Sequence, residues 1–240
     1  MCVVALSLLV RPRWPIIMIG NRDEFHARPS VPLARWDDGS GIIAGRDVQA
    51  GGTWLGVNPA ASRIAVITNV RDDAGPDPAK RSRGGLVTGA LGGDAQFVDP
   101  AAFNGFSLLS LAGTDAMLIS NRPTASVRSL RPGNHAIANL PVGVVCPRAD
   151  ALREALGRLD DDGLADDDVL FALLRCGHDR PYTPGVDVPE QPFLTHDIYG
   201  TRCSTVVRVG PDGRGTISER RFAENGAPMG QTRIAFDWGA

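Results

Sequence analysis

"MCVVALSLLV" (residues 1–10) and "PIIMIG" (15–20), which runs straight into "NRDE" (21–24), decide how this chain is read. Both runs are apolar at almost every position, the pattern of strands covered on two faces. The connection "RPRWP" (11–15) is too brief for a crossover helix, so residues 2–10 and 15–21 form an antiparallel pair. Hairpin geometry then sets Cys2, at the start of one strand, beside "GNRDE", at the end of the other.

Working outward, further strands are predicted at 41–45, 52–58, 62–70, 106–113, 116–121, 202–210 and 215–222, the last two joined through an Asp212-Gly213 turn. Helices are predicted at 83–91, 148–159 and 165–176, the last with an acidic first turn and Gly177 as its stop. Many antiparallel strands with a few separated helices give an α+β class. The polar, proline-broken stretches 71–85 and 177–193 read as long exposed loops. Neither divides the chain, because strands on both sides of each need partners across it, and a single domain over 1–240 is expected. There is no repeat at a solenoid period.

Composition narrows the function. With 240 residues, 43% of them hydrophobic, the chain can bury a sizeable core, and its net charge of −2 suggests neither a nucleic-acid groove nor an anionic membrane surface. Small-molecule partners are expected. Cys2, Cys146, Cys176 and Cys203 are widely spaced, which indicates neither a zinc site nor a disulfide framework and suits a reducing compartment, so a cytoplasmic protein is expected. Residues 2–10 lack a preceding basic segment and are too short to span a bilayer, so no signal peptide and no stable membrane insertion are expected. The four histidines lack ligand spacing, and the six aspartates of 159–169 lack the alternation of a calcium loop, so no metal is expected.

Cys2 becomes the first residue if the initiator methionine is removed. Its thiol would then sit beside its own α-amine, which titrates near pH ~7.7–8.0 and can take the thiol proton while the thiolate attacks a carbonyl. The alternative is a buried strand thiol that packs as a small hydrophobe. In "GNRDE", strand alternation sends Asn21 and Asp23 to one face and Arg22 and Glu24 to the other, and leaves open which pair faces the thiol. A carboxylate there could hold the amine, and an arginine could lower the thiol pKa. Asn69 and Asn139 each end an apolar stretch, where an amide can donate to an oxyanion or simply form a turn. Arg202 begins a late strand, and "GGTWLGVN" (51–58) sets a glycine pair before Trp54.

The blocks "MC", "NRDEFHARPS", "GGTWLGVN", "ITNVRD", "SRGGLV", "FNGFSLL" and "YGTRCSTVV", in that order over most of the chain, resemble the NRDE family, also called the transport and Golgi organisation 2 family. That family is similar to the N-terminal nucleophile hydrolases of the bile salt hydrolase and penicillin V acylase group. The resemblance implies a four-layer αββα sandwich with two stacked, mainly antiparallel sheets. It implies Cys2 as nucleophile, Arg22 and Asp23 attending it, Asn69 and Asn139 as oxyanion contacts, and Arg202 beside the thiol. Two function classes follow: an amidohydrolase working through a Cys2 acyl-enzyme without a required cofactor, and a binding or trafficking protein that holds haem or an acyl-CoA in the same cleft. A pseudoenzyme with a structural thiol is a third.

Overall fold

A computed structural model describes residues 2–71, 75–94, 99–180, 182 and 189–239. The two opening runs form β1 (Cys2–Leu8) and β2 (Ile16–Phe25), paired antiparallel with Val4 opposite Gly20 and Leu8 opposite Ile16. Every residue of β1 is buried because both of its faces are covered. Val4, Leu6 and Leu8 enter a core shared with a second sheet, while Val3 and Ala5 enter one shared with helices.

The remaining elements are β3 (Ser30–Arg35), β4 (Ile43–Asp47), β5 (Leu55–Asn58), β6 (Arg63–Asn69), α1 (Gly84–Gly92), β7 (Phe106–Ala112), β8 (Asp115–Ser120), β9 (Ser126–Leu130) and β10 (Gly133–Ile137). After them come α2 (Pro147–Arg158), α3 (Asp161–Ala165), α4 (Asp167–Arg175), β11 (Tyr199–Val209), β12 (Arg214–Phe222) and β13 (Pro228–Asp237). One sheet has the order β10-β1-β2-β11-β12-β13 and the other β3-β4-β5-β6-β7-β8-β9. The strand pairs are antiparallel.

Four layers result. The sheets stack on a core that joins Val4, Met18 and Val207 of the first to Leu55, Val66 and Leu109 of the second. Leu152 of α2, Leu164 of α3 and Leu170 of α4 cover the outer face of the first sheet, and Leu86, Val87 and Leu91 of α1 cover that of the second. This is the expected αββα sandwich.

Several boundaries differ from the sequence reading. β2 runs on past its expected end at Asn21 to Phe25, and Arg22 and Asp23 are buried there because each finds protein partners in place of water. The helix expected at 165–176 is α4, which starts at Asp167 because the Asp166 side chain accepts from the Asp168 backbone N–H, and the short α3 before it was not expected. Asp160 accepts from the Gly163 N–H in the same way, so part of the aspartate cluster serves as N-caps. Of the two expected loops, residues 72–74, 181 and 183–188 lie outside the described residues, and 84–85 already begin α1. Among the described residues no helix is long and apolar enough to cross a membrane.

Candidate active site

Four side chains lie in one row across the first sheet. Cys2 of β1 stands opposite Arg22 of β2, Arg22 opposite Cys203 of β11, and Cys203 opposite Arg221 of β12. Directly opposed residues share a face, and this is the face that carries Val4, Met18 and Val207 into the inter-sheet core. The row borders a cavity of about 740 Å³, which Asn69, Arg83 and Arg202 also line.

Two close approaches shape this end of the molecule. A Cβ on Gly20 would lie 2.9 Å from the Val3 carbonyl oxygen, closer than such atoms pack, and 3.3 Å from the Trp54 ring, so the bare backbone at position 20 lets β1 and the indole approach closely. Gly52 meets Gly84 backbone to backbone, its added Cβ falling 2.6 Å from the Gly84 carbonyl carbon. That contact brings the start of α1, with Arg83, to the cavity.

Cys2 is 7% exposed. Its backbone N–H donates to Asn139 Oδ1 at 3.1 Å, and Asn139 Nδ2 donates to the Asn69 carbonyl at 2.7 Å. Asn139 therefore faces the Cys2 nitrogen with its oxygen, and its amide N–H goes to Asn69. Burial pushes the Cys2 thiol up, and the charge of Asp23 adds to this, while Arg22 works the other way.

The alternation of "NRDE" divides as its spacing implies. Asn21 faces the helices, where its amide donates to the Leu174 and Pro192 carbonyls and its oxygen accepts from Ser204. The Asp23 carboxylate is on the same side, accepting from Arg148 Nη2 and Thr201 Oγ1, both at 2.7 Å. The cavity side receives Arg22, whose Nη2 donates to Asp47 Oδ2 at 3.0 Å, with Glu24 3.9 Å away. Burial opposes the charge of Asp47, yet hydrogen bonds from Arg28 Nε and the Ala50 N–H hold its carboxyl below the usual range. Arg202 is the extra residue of a β-bulge in β11: register with β2 shifts between Thr201 and Cys203. Its guanidinium donates to the carbonyls of Phe25 and His26.

Sequence reasoning passed over Asp47, Arg83, Arg148, Cys203 and Glu219. Arg83 donates to the Gly105 carbonyl at 3.0 Å. Glu219 accepts from the Leu33 N–H at 2.9 Å and also bonds the Cys203 thiol, and burial pushes both the carboxyl and the thiol up. The two glycine pairs, 51–52 and 84–85, were the available pointer to Arg83. No local pattern announces the others, whose partners come from distant strands. Among the described residues no group of three or more metal-ligating side chains converges.

Comparison with known proteins bears on this arrangement. Residues 1–224 match the family model for Transport and Golgi organisation 2. The human Transport and Golgi organization protein 2 homolog is 28% identical, with 97% of each chain covered, and the mouse homolog is 25% identical with the same coverage. Among solved structures, a Caenorhabditis elegans ortholog of N-acylethanolamine-hydrolyzing acid amidase superposes with a TM-score of 0.50 at 12% identity, covering 85% of this chain and 92% of that one. The fold is thus of the N-terminal nucleophile hydrolase kind. By the extent of the sequence match, this chain belongs to the Transport and Golgi organisation 2 family.

Proposed function

We propose that the chain is an N-terminal cysteine amidohydrolase that cleaves the amide bond of a small N-acyl substrate. The observation that carries the reading is the setting of Cys2: its nitrogen is held by Asn139 Oδ1 at 3.1 Å while the residue borders a cavity of about 740 Å³. Removal of Met1 turns that nitrogen into an α-amine. The amine takes the thiol proton as Sγ attacks the amide carbonyl, and the ammonium then protonates the departing amine. Water, deprotonated by the same amine, opens the acyl-enzyme, releases the acid and restores the thiol. The Asn69 amide, at the end of β6 on the cavity wall, is the donor proposed for the oxyanion. No cofactor or metal enters these steps. The solved neighbour is an ortholog of an N-acylethanolamine-hydrolyzing acid amidase, and the shared fold supports this reading.

The test compares the native protein, checked for methionine removal by intact mass, with a variant carrying an uncleavable residue between Met1 and Cys2. Amine release from a panel of N-acyl amides is expected from the native form alone, with an electrophile labelling Cys2 ahead of Cys146, Cys176 and Cys203. Turnover that survives Cys2→Ala overturns the proposal. The upward push on the buried thiol favours a second reading, carriage of haem or an acyl-CoA without turnover. Equal haem titration of native and extended forms, with no amide cleaved by either, would support it.

A further inference from the structure

The cavity beside Cys2 carries more positive charge than its own carboxylates balance. Eight arginine and lysine side chains line it against five aspartates and glutamates. One of those five, Asp23, already pairs with Arg148, which is not part of the lining. Some of the cations are also committed. Arg28 holds Asp47, Arg202 caps two carbonyls, and Arg46 donates to the Gly51 carbonyl and stacks on Trp36.

Arg22 and Arg221 flank Cys203 on one face of the sheet. Arg22 Nη1 and Arg221 Nε are buried with no hydrogen-bond partner among the described residues, and Arg202, which caps the two carbonyls, likewise keeps a buried Nε without one. The Arg22 side chain is 9% exposed, and the bond from its Nη2 to Asp47 fixes the guanidinium so that Nη1 has a set direction. Arg221 sits two strands away on the same face, opposite Cys203. At about 4.8 Å per strand the two backbones are roughly 10 Å apart, with Cys203 in the gap between them. A buried donor on a charged group left without an acceptor keeps the full desolvation penalty of that group. A ligand that brings negatively charged oxygens to this gap removes that cost and offsets the excess charge, and guanidinium geometry suits carboxylate and phosphate oxygens best.

We infer that the substrate cleaved at Cys2 carries an anionic oxygen group, a carboxylate or a phosphate, bound between Arg22 and Arg221 over Cys203. This rests on the amidohydrolase reading for the word substrate. The subsite itself is a binding claim that can be tested without turnover.

Three amides with one acyl chain serve as probes: N-decanoyl glycine (carboxylate), N-decanoyl phosphoethanolamine (phosphate) and N-decanoyl ethanolamine (neutral). Native protein should prefer at least one anionic amide over the neutral one in kcat/KM. Arg221→Gln should cut that preference about 10-fold or more, the worth of one charge-assisted hydrogen bond, and Arg221→Lys should restore part of it. Calorimetric titration of the Cys2→Ala protein with the same compounds, with and without Arg221→Gln, reads binding alone, and the same loss is expected there. Which anionic probe binds tighter distinguishes carboxylate from phosphate. Cleavage with no charge preference overturns the subsite and leaves the hydrolase reading standing. Anion binding that weakens in Arg221→Gln, with none of the amides cleaved, supports the subsite and counts against the hydrolase. Equal binding of charged and neutral probes overturns the subsite whatever the turnover.

Discussion

Replacing Arg148 with methionine tests what holds β2 against the helices. The Arg148 side chain is 1% exposed, and its Nη2 donates to Asp23 Oδ2 at 2.7 Å and to the Pro192 carbonyl at 3.0 Å. Methionine preserves much of the apolar stem and removes the charge. Asp23 then keeps its bond from Thr201 Oγ1 but loses the buried guanidinium paired with it. Breaking a buried pair from one side costs about 3–5 kcal/mol. Arg148→Met should therefore lose about that much in urea unfolding followed by circular dichroism, with the midpoint moving and the slope unchanged. Arg148→Met combined with Asp23→Asn takes the unbalanced charge away, and the asparagine oxygen can still accept from Thr201. The double variant should recover to within about 1–2 kcal/mol of the native protein, giving a strong coupling between the two sites. A single variant within about 1 kcal/mol of native, or a double variant as unstable as the single one, would refute the reasoning.

Two further outcomes concern the ground around the cavity. Burial lifts the Glu219 carboxyl above its ordinary range, so the folded protein retains that proton to higher pH than the unfolded chain does, and stability falls as pH rises through the interval between the two pKa values. Glu219→Gln, which keeps an acceptor for the Leu33 N–H, should raise the melting temperature at pH 8, and the gain should vanish below about pH 4; a gain of the same size at both ends would contradict the assignment. Gly52→Ala places a Cβ 2.6 Å from the Gly84 backbone and should cost about 1–3 kcal/mol, read as a lowered thermal midpoint; an unchanged midpoint would show that the start of α1 can move aside freely.

The sequence disclosed the centre of each sheet better than its margins. β1 and the first half of β2 stand out because strands covered on both faces are apolar almost throughout, and β6, β7 and β11 stand out by shorter apolar runs. The strands it did not disclose, β3, β9, β10 and β13, are the four sheet edges. Edge strands mix polar with apolar side chains and are covered only in part, as in "SVRSL" (126–130) and "GNHAI" (133–137), and such segments read as loop. The site shows a similar division. Cys2 and the residues of "NRDE" are placed by one hairpin, so their adjacency was visible locally. Asp47, Glu219 and Arg148 reach the same region from β4, β12 and α2, and a contact such as Arg148 with Asp23, 125 residues apart, has no local mark. The NRDE strand also carries two roles in one alternation. Arg22 serves the cavity, while Asn21 and Asp23 fasten the sheet to its helices.

The bulge at Arg202 makes β11 a strand of two parities. From Cys203 onward odd-numbered positions face the cavity and the inter-sheet core, as Cys203, Val207 and Val209 do. Before it, Thr201, also odd, turns its hydroxyl to Asp23 on the helix side. One extra residue reconciles the two halves. A chain shortened by one at this point could keep its hydrophobic alternation or its Thr201–Asp23 bond, but not both. Arg202 thus counts as a spacer as well as a side chain, and length at this place is constrained independently of which residue fills it.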